Sequence, residues 1–311
     1  MVTQPGHKKI IKAIVTVATA LLTIVATAAC GNTTSTTASS KAKTVDVAVS
    51  VNQWESVAKI IGGKDISLHV ILSNDTVNAR DFEPTASDVA TLENAQLVLV
   101  NGAGYDRWAT NAAQQGKAII VNAASTDNIH AGDNPHVWFS SAVRQTTAKA
   151  YLKALEQIDP SDTSTFEANY KTWLAGEDKL QTEIASAKKE LQGKPYAATA
   201  PVSHYIMKDL GMDVKTPTGF AQAELNNSTP APADIEAFRT LINEKKIDLL
   251  VDNVQEANST TNQLVALARS KGIPIVDFTE TMPSQYSDLD AWETALINNI
   301  KTAAKQSIQK N

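Results

Sequence analysis

The 311 residues are 43% hydrophobic and 20% charged, with 13 glycines, 11 prolines and a single cysteine. That composition excludes a disulfide-stapled mini-protein, a collagen-like or low-complexity chain and a polytopic membrane protein. A net charge of −5 lacks the basic face that nucleic acid selects, so no nucleic-acid partner is expected; the length predicts two lobes, each able to bury its own core.

In chain order, Lys8, Lys9 and Lys12 precede an uncharged run, 13–29, that ends in small residues just before Cys30. This pattern predicts a secretory signal over residues 1–29 rather than a permanent anchor helix, with Cys30 as the lipid-bearing first residue of a bacterial lipoprotein. Thr27 departs from the usual small or aliphatic residue of such cleavage sites. Removing the three lysines takes the net charge to −8 and leaves no cysteine beyond Cys30. Residues 30–44 are rich in Ser and Thr and predict a flexible tether.

The folded part is expected to begin with a strand at 45–51, a helix at 54–61, a strand at 67–73 and a helix after Glu83-Pro84. The apolar run 97–102, a helix around Trp108 and a strand at 118–123 complete an N-terminal lobe over 45–157. Strand-like runs at 196–200, 248–253 and 274–280, separated by helical segments at 232–246 and 262–271, form a C-terminal lobe over 194–311. Strands alternating with helices at this spacing predict an α/β class with parallel-rich sheets. There is no sequence repeat, only a repeated architecture. Between the lobes, 158–193, apolar residues from Phe166 to Leu191 recur every 3, 4 or 7 positions, which predicts one long amphipathic helix. Two shorter helices broken at Gly176 are the alternative. In open α/β sheets a ligand sits at the carboxyl ends of the strands, so the cleft should follow Val51, Ser73, Asn101, Thr199, Asn253 and Phe278.

The segments WESVAKIIGGKDI (54–66), DFEPTASDVATLENAQLVLVNGAGYDRW (81–108), GDNPHVWFS (132–140), DLLVDNVQE (248–256) and PIVDFTETMP (274–283) together carry a resemblance. They resemble the zinc/manganese solute-binding lipoproteins of ABC importers, the cluster A-I family, through nearly the whole mature chain. The resemblance implies two (β/α) lobes bridged by a rigid helix, with one Zn²⁺ or Mn²⁺ held in the cleft. It also implies a permease and an ATPase subunit as partners, a monomer, and attachment through lipid on Cys30 to the outer face of the cytoplasmic membrane. Of the four side chains that usually hold the ion, His136 in the N-P-H-V-W run and Glu280 in FTET match. At the other two positions stand Arg80, just before D-F-E-P-T, and Ala200, in T-A-P-V. Ala200 has no donor, and the guanidinium of Arg80 would set a positive charge where a dication belongs.

Auxiliary donors are sought among His204, His130 and Asp81, while His69 is expected to face solvent. Two alternatives stay open. Arg80 and Glu280 could pair across the cleft in place of the metal. Or Arg80, with Asn52, Asn101, Tyr105 and Asn253, could bind an anionic ligand, leaving a paralogue that has lost metal and serves adhesion or another interaction. An enzyme is not expected: the chain has no phosphate loop, no G-x-S-x-G elbow and no H-E-x-x-H. The 229–232 run TPAP is read as a helix lead-in.

Overall fold

A computed structural model describes residues 44–74 and 77–308, with side chains to 306. The expected signal segment, Cys30 and nearly all of the tether lie outside these residues. Among the described residues no helix is long and apolar enough to cross a membrane.

The first lobe runs β1 (Val45–Val51), α1 (Glu55–Gly62), β2 (Ile66–Leu72), α2 (Ala86–Asn94), β3 (Leu97–Val100), α3 (Arg107–Ala113) and β4 (Ile119–Asn122). Two long helices follow, α4 (Ser141–Ile158) and α5 (Thr163–Leu191). The second lobe comprises β5 (Pro195–Ala198), α6 (His204–Asp209), β6 (Asp213–Val214), α7 (Thr218–Leu225), α8 (Pro232–Asn243), β7 (Leu249–Asn253), α9 (Ser259–Ser270), β8 (Ile275–Phe278) and α10 (Leu289–Ile308). Each lobe holds a four-stranded, wholly parallel sheet, ordered β2-β1-β3-β4 in one and β6-β5-β7-β8 in the other. The two orders are the same, so the repeated architecture is one winding used twice.

A parallel sheet is covered on both faces, so its inner strands read as unbroken apolar runs. All four residues of β3, Leu97 to Val100, are fully buried: Leu97 and Leu99 join the larger core with Val47 and Val49, while Val98 and Val100 pack with Ala48 on the opposite face. The D-F-E-P-T run has a local purpose: Thr85 caps α2. Its Oγ1 accepts from the Asp88 N–H at 3.2 Å, and Asp88 Oδ2 accepts from the Thr85 N–H at 2.8 Å.

Helix α5 is continuous, about 43 Å long at 1.5 Å per residue. Its buried stripe is Phe166, Trp173, Glu177, Leu180, Ile184, Ala187 and Leu191. Gly176 does not break it. A Cβ there would lie 2.9 Å from Asp290 Oδ2 on α10, so a larger residue would press on that carboxylate. The stripe is not wholly apolar because a charge network ties three helices together. From α4, Arg144 donates through Nε and Nη2 to the two oxygens of Glu177 on α5, at 3.0 and 2.9 Å, and through Nη1 to Glu293 Oε1 on α10, at 2.8 Å. The same Nη1 donates to the Trp138 carbonyl at 3.1 Å. All three charged residues are buried, and Glu293 Oε2 has no partner. Burial, opposed by Arg144, pushes the Glu293 carboxyl up to about 8.

Candidate functional site

The carboxyl ends of both sheets face one another, and residues just past the strands meet there. Asn52 and Gln53 follow β1, Asn78 and Arg80 follow β2, Tyr105 follows β3 and His136 lies in the loop after β4; opposite them stand Asn253, Gln255 and Glu256 after β7 and Glu280 after β8.

The orientation of His136 is fully determined. Asn134 Nδ2 donates to the Pro201 carbonyl at 2.8 Å, so its Oδ1 is the atom that accepts from the His136 backbone N–H at 3.0 Å and contacts Nδ1 at 2.7 Å. A backbone N–H can only donate, which fixes the amide and makes Nδ1 a hydrogen-bearing nitrogen. Nε2 is the ring nitrogen turned into the cleft. It lies 3.1 Å from Glu280 Oε1 without hydrogen-bond geometry and is a buried nitrogen with no hydrogen-bond partner. His136 is 1% exposed and Glu280 3%. An imidazole nitrogen and a carboxylate oxygen held this close in a dry site need a cation to share, either a proton or a metal ion.

Glu280 is gripped from both lobes. Tyr105 OH donates to Oε2 at 3.1 Å, Asn253 Nδ2 donates to Oε1 at 3.2 Å, and the Glu280 carbonyl accepts from Gln53 Nε2 at 2.7 Å. Burial opposes its ionisation, but the His136 imidazole, Arg80 and a hydrogen bond from Glu256 outweigh this and hold the carboxyl below the usual range. Glu256 goes the other way, raised by burial and by the Glu280 charge against the pull of Arg80. The hydroxyl of Tyr105 is likewise pushed up, by burial and then by Glu280.

Arg80 does not pair with Glu280, as one reading of the sequence expected. Its Nη1 lies 3.6 Å from Glu256 Oε1, its guanidinium sits 5.7 Å from the centre of the Tyr105 ring, and Asn78 Nδ2 donates to the same Oε1. Asn253 Nδ2 holds the other oxygen of Glu256 at 3.1 Å. Glu256 is a cleft side chain that the sequence did not single out. The signal was present, a carboxylate three residues past a strand end, inside the quoted DLLVDNVQE.

Residues 47–305 match the family described as zinc-uptake complex component A, periplasmic. The chain belongs to that family. Among its relatives, the high-affinity zinc uptake system protein ZnuA of Bacillus subtilis (strain 168) is 23% identical over 87% of this chain and 93% of its own length. The manganese ABC transporter substrate-binding lipoprotein scaA of Streptococcus gordonii is 22% identical over 90% of this chain and 94% of its own. Among solved structures, the periplasmic zinc binding protein TroA from Treponema pallidum superposes with a TM-score of 0.69 at 19% identity, over 85% of this chain and 99% of that one, a likeness of fold.

The auxiliary donors sought in the sequence are not gathered at His136. His204 is solvent-exposed at the start of α6, its ring packed edge-on to Tyr205, and it lines a cavity of about 70 Å³ with Ala200, Ser203 and Thr216. His130 is exposed and lines a different cavity, with Arg107 and Thr110. Asp81 faces solvent beside the α2 cap, and His69 is exposed on β2 as expected. Among the described residues no three of His, Cys, Asp and Glu form a ready-made metal cage. The anionic-ligand alternative is not favoured either. Two carboxylates, Glu256 and Glu280, already face Arg80, and Asn101 is occupied in holding Trp54 Nε1 at 3.1 Å and the Pro135 carbonyl at 2.8 Å.

Proposed function

We propose that this protein is the extracytoplasmic substrate-binding lipoprotein of a metal-ion ABC importer. It takes a zinc or manganese ion between its lobes and hands it to a membrane permease coupled to an ATPase. His136 Nε2 and Glu280 are the ligands contributed by the two lobes. The observation that carries this reading is the buried His136 Nε2, without a hydrogen-bond partner, 3.1 Å from a carboxylate oxygen across the cleft. Imidazole suits Zn²⁺ and carboxylate suits Mn²⁺, so this donor pair serves either ion. The chain works as a monomer, carries out no catalysis, and is held at the outer face of the cytoplasmic membrane by lipid on Cys30.

The test is thermal unfolding of the chelator-stripped full chain with and without Zn²⁺ or Mn²⁺. A ligand that binds only the folded state at a hundredfold excess over Kd adds about 2.7 kcal/mol. The expected result is a clear rise in Tm that His136→Ala abolishes. No rise with either ion, or one that survives His136→Ala, overturns the assignment. Incorporation of labelled fatty acid, lost in Cys30→Ala, tests the anchor.

A further inference from the structure

We propose that Arg80 is a built-in competitor for the metal position, and that Glu256 becomes a ligand of the ion once the Arg80 side chain withdraws. The proposal rests on His136 and Glu280 as cargo ligands, and it explains how a site with Arg80 and Ala200 in place can still bind.

The charges require the exchange. With an ion bound, Glu256 and Glu280 as carboxylates would together balance its two charges. With Arg80 also in place the cluster would carry an uncompensated positive charge beside the ion, and like charges at contact distances in a partly dry site repel strongly. Ion and guanidinium therefore exclude one another, and the carboxylate that Arg80 gives up is the one left to complete the coordination. Glu256 is built for the change of partner. Its side chain is 23% exposed against 3% for Glu280, and it is positioned by Asn253, which bridges both acids at 3.1 and 3.2 Å.

Arg80 is equally suited to leave. Its side chain is 18% exposed, and 3.6 Å is an ion-pair distance rather than a close hydrogen bond. Its backbone stays fixed, because Arg80 N–H donates to Asn78 Oδ1 at 2.8 Å and Trp108 Nε1 donates to the Ala79 carbonyl at 2.9 Å. Only the side chain has to move. Until it does, the guanidinium supplies the positive charge that keeps two facing acids and two lobes together without cargo.

The test is titration calorimetry of the full chain with Zn²⁺ alone and Mn²⁺ alone, at fixed pH and salt, on the native protein, Arg80→Gln, Glu256→Gln and the double variant. Arg80→Gln is expected to bind at least tenfold tighter than native, and Arg80→Lys, which keeps the charge, is not. Adding Glu256→Gln to Arg80→Gln is expected to lose at least tenfold. Native and Arg80→Gln binding equally would overturn the competitor. Unchanged affinity between Arg80→Gln and the double variant would show that Glu256 is only the arginine's counter-charge and overturn its role as ligand. If neither ion binds native protein or any variant that melts cooperatively, the cargo reading itself fails, which is a distinct outcome. Should Arg80→Gln not fold, Arg80→Ala serves as the neutral variant.

Discussion

Asn52 and Met282, in opposite lobes and 230 positions apart, exchange two hydrogen bonds: Asn52 Nδ2 donates to the Met282 carbonyl at 2.8 Å, and the Met282 N–H donates to Asn52 Oδ1 at 3.2 Å. A side-chain amide thus pairs with a backbone amide much as one strand pairs with another, and it does so in a buried place. Asn52→Ala leaves both Met282 groups unsatisfied and should cost about 1–3 kcal/mol. Urea unfolding measures the loss. A change below about 0.5 kcal/mol would mean that water replaces the amide and that the pair does not hold the lobes.

Tyr105→Phe removes the hydroxyl that donates to Glu280 Oε2 while keeping the ring against Trp138, 5.2 Å between centres. The expected effect is a loss of metal affinity of about tenfold, one hydrogen bond to a charged group, with little change in Tm of the metal-free protein. Equal affinity in calorimetry would show that Glu280 is oriented by Asn253 alone.

The Arg144 network gives stability a pH dependence of definite sign. Glu293 titrates near 8 in the folded protein, above the ordinary carboxylate value of 4.5. The folded state therefore binds more protons than the unfolded state between those values, and stability falls as pH rises through that window. Asp290, raised to about 6 chiefly by burial, slopes the same way. Glu293→Gln should flatten the Tm–pH profile between about pH 5 and 8 by an amount on the order of 1–3 kcal/mol. A profile parallel to that of the native protein would mean that Glu293 stays ionised throughout.

Gly116 faces the end of α2 so closely that an added Cβ would lie 2.1 Å from the Glu93 carbonyl oxygen, a backbone atom that cannot swing aside. Gly116→Ala should therefore destabilise by about 1–3 kcal/mol, the usual cost of overpacking. Chemical denaturation with an unchanged midpoint would show that the turn after α3 shifts freely.

The strands were legible because parallel sheets demand continuous apolar runs, and the long helix because its stripe keeps a spacing of 3 and 4 for nearly thirty residues. Helices α4 and α10 were not read. Their inward faces carry Arg144, Thr147 and Glu293, polar residues that interrupt the apolar period and make sense only when the three helices are side by side. Strand β6 is two exposed residues long, too short for any period. At the site, His136 and Glu280 were found by motif and by position at strand ends. The partner of Arg80 was not, because whether residue 256 or 280 meets it depends on how far apart β7 and β8 deliver their last residues, a distance that no single strand encodes.

A 29-residue helix that packs against α1 and α4 of one lobe and α10 of the other is a brace rather than a strap. A brace permits tilting over a short stroke but not the wide yawning of a two-strand hinge. Under the proposed function, loaded and empty forms would then look nearly alike in outline. If an incoming ion displaces Arg80 as proposed, a receptor at the membrane would read the cargo state by touch, from the arginine at the cleft rather than from a change of shape.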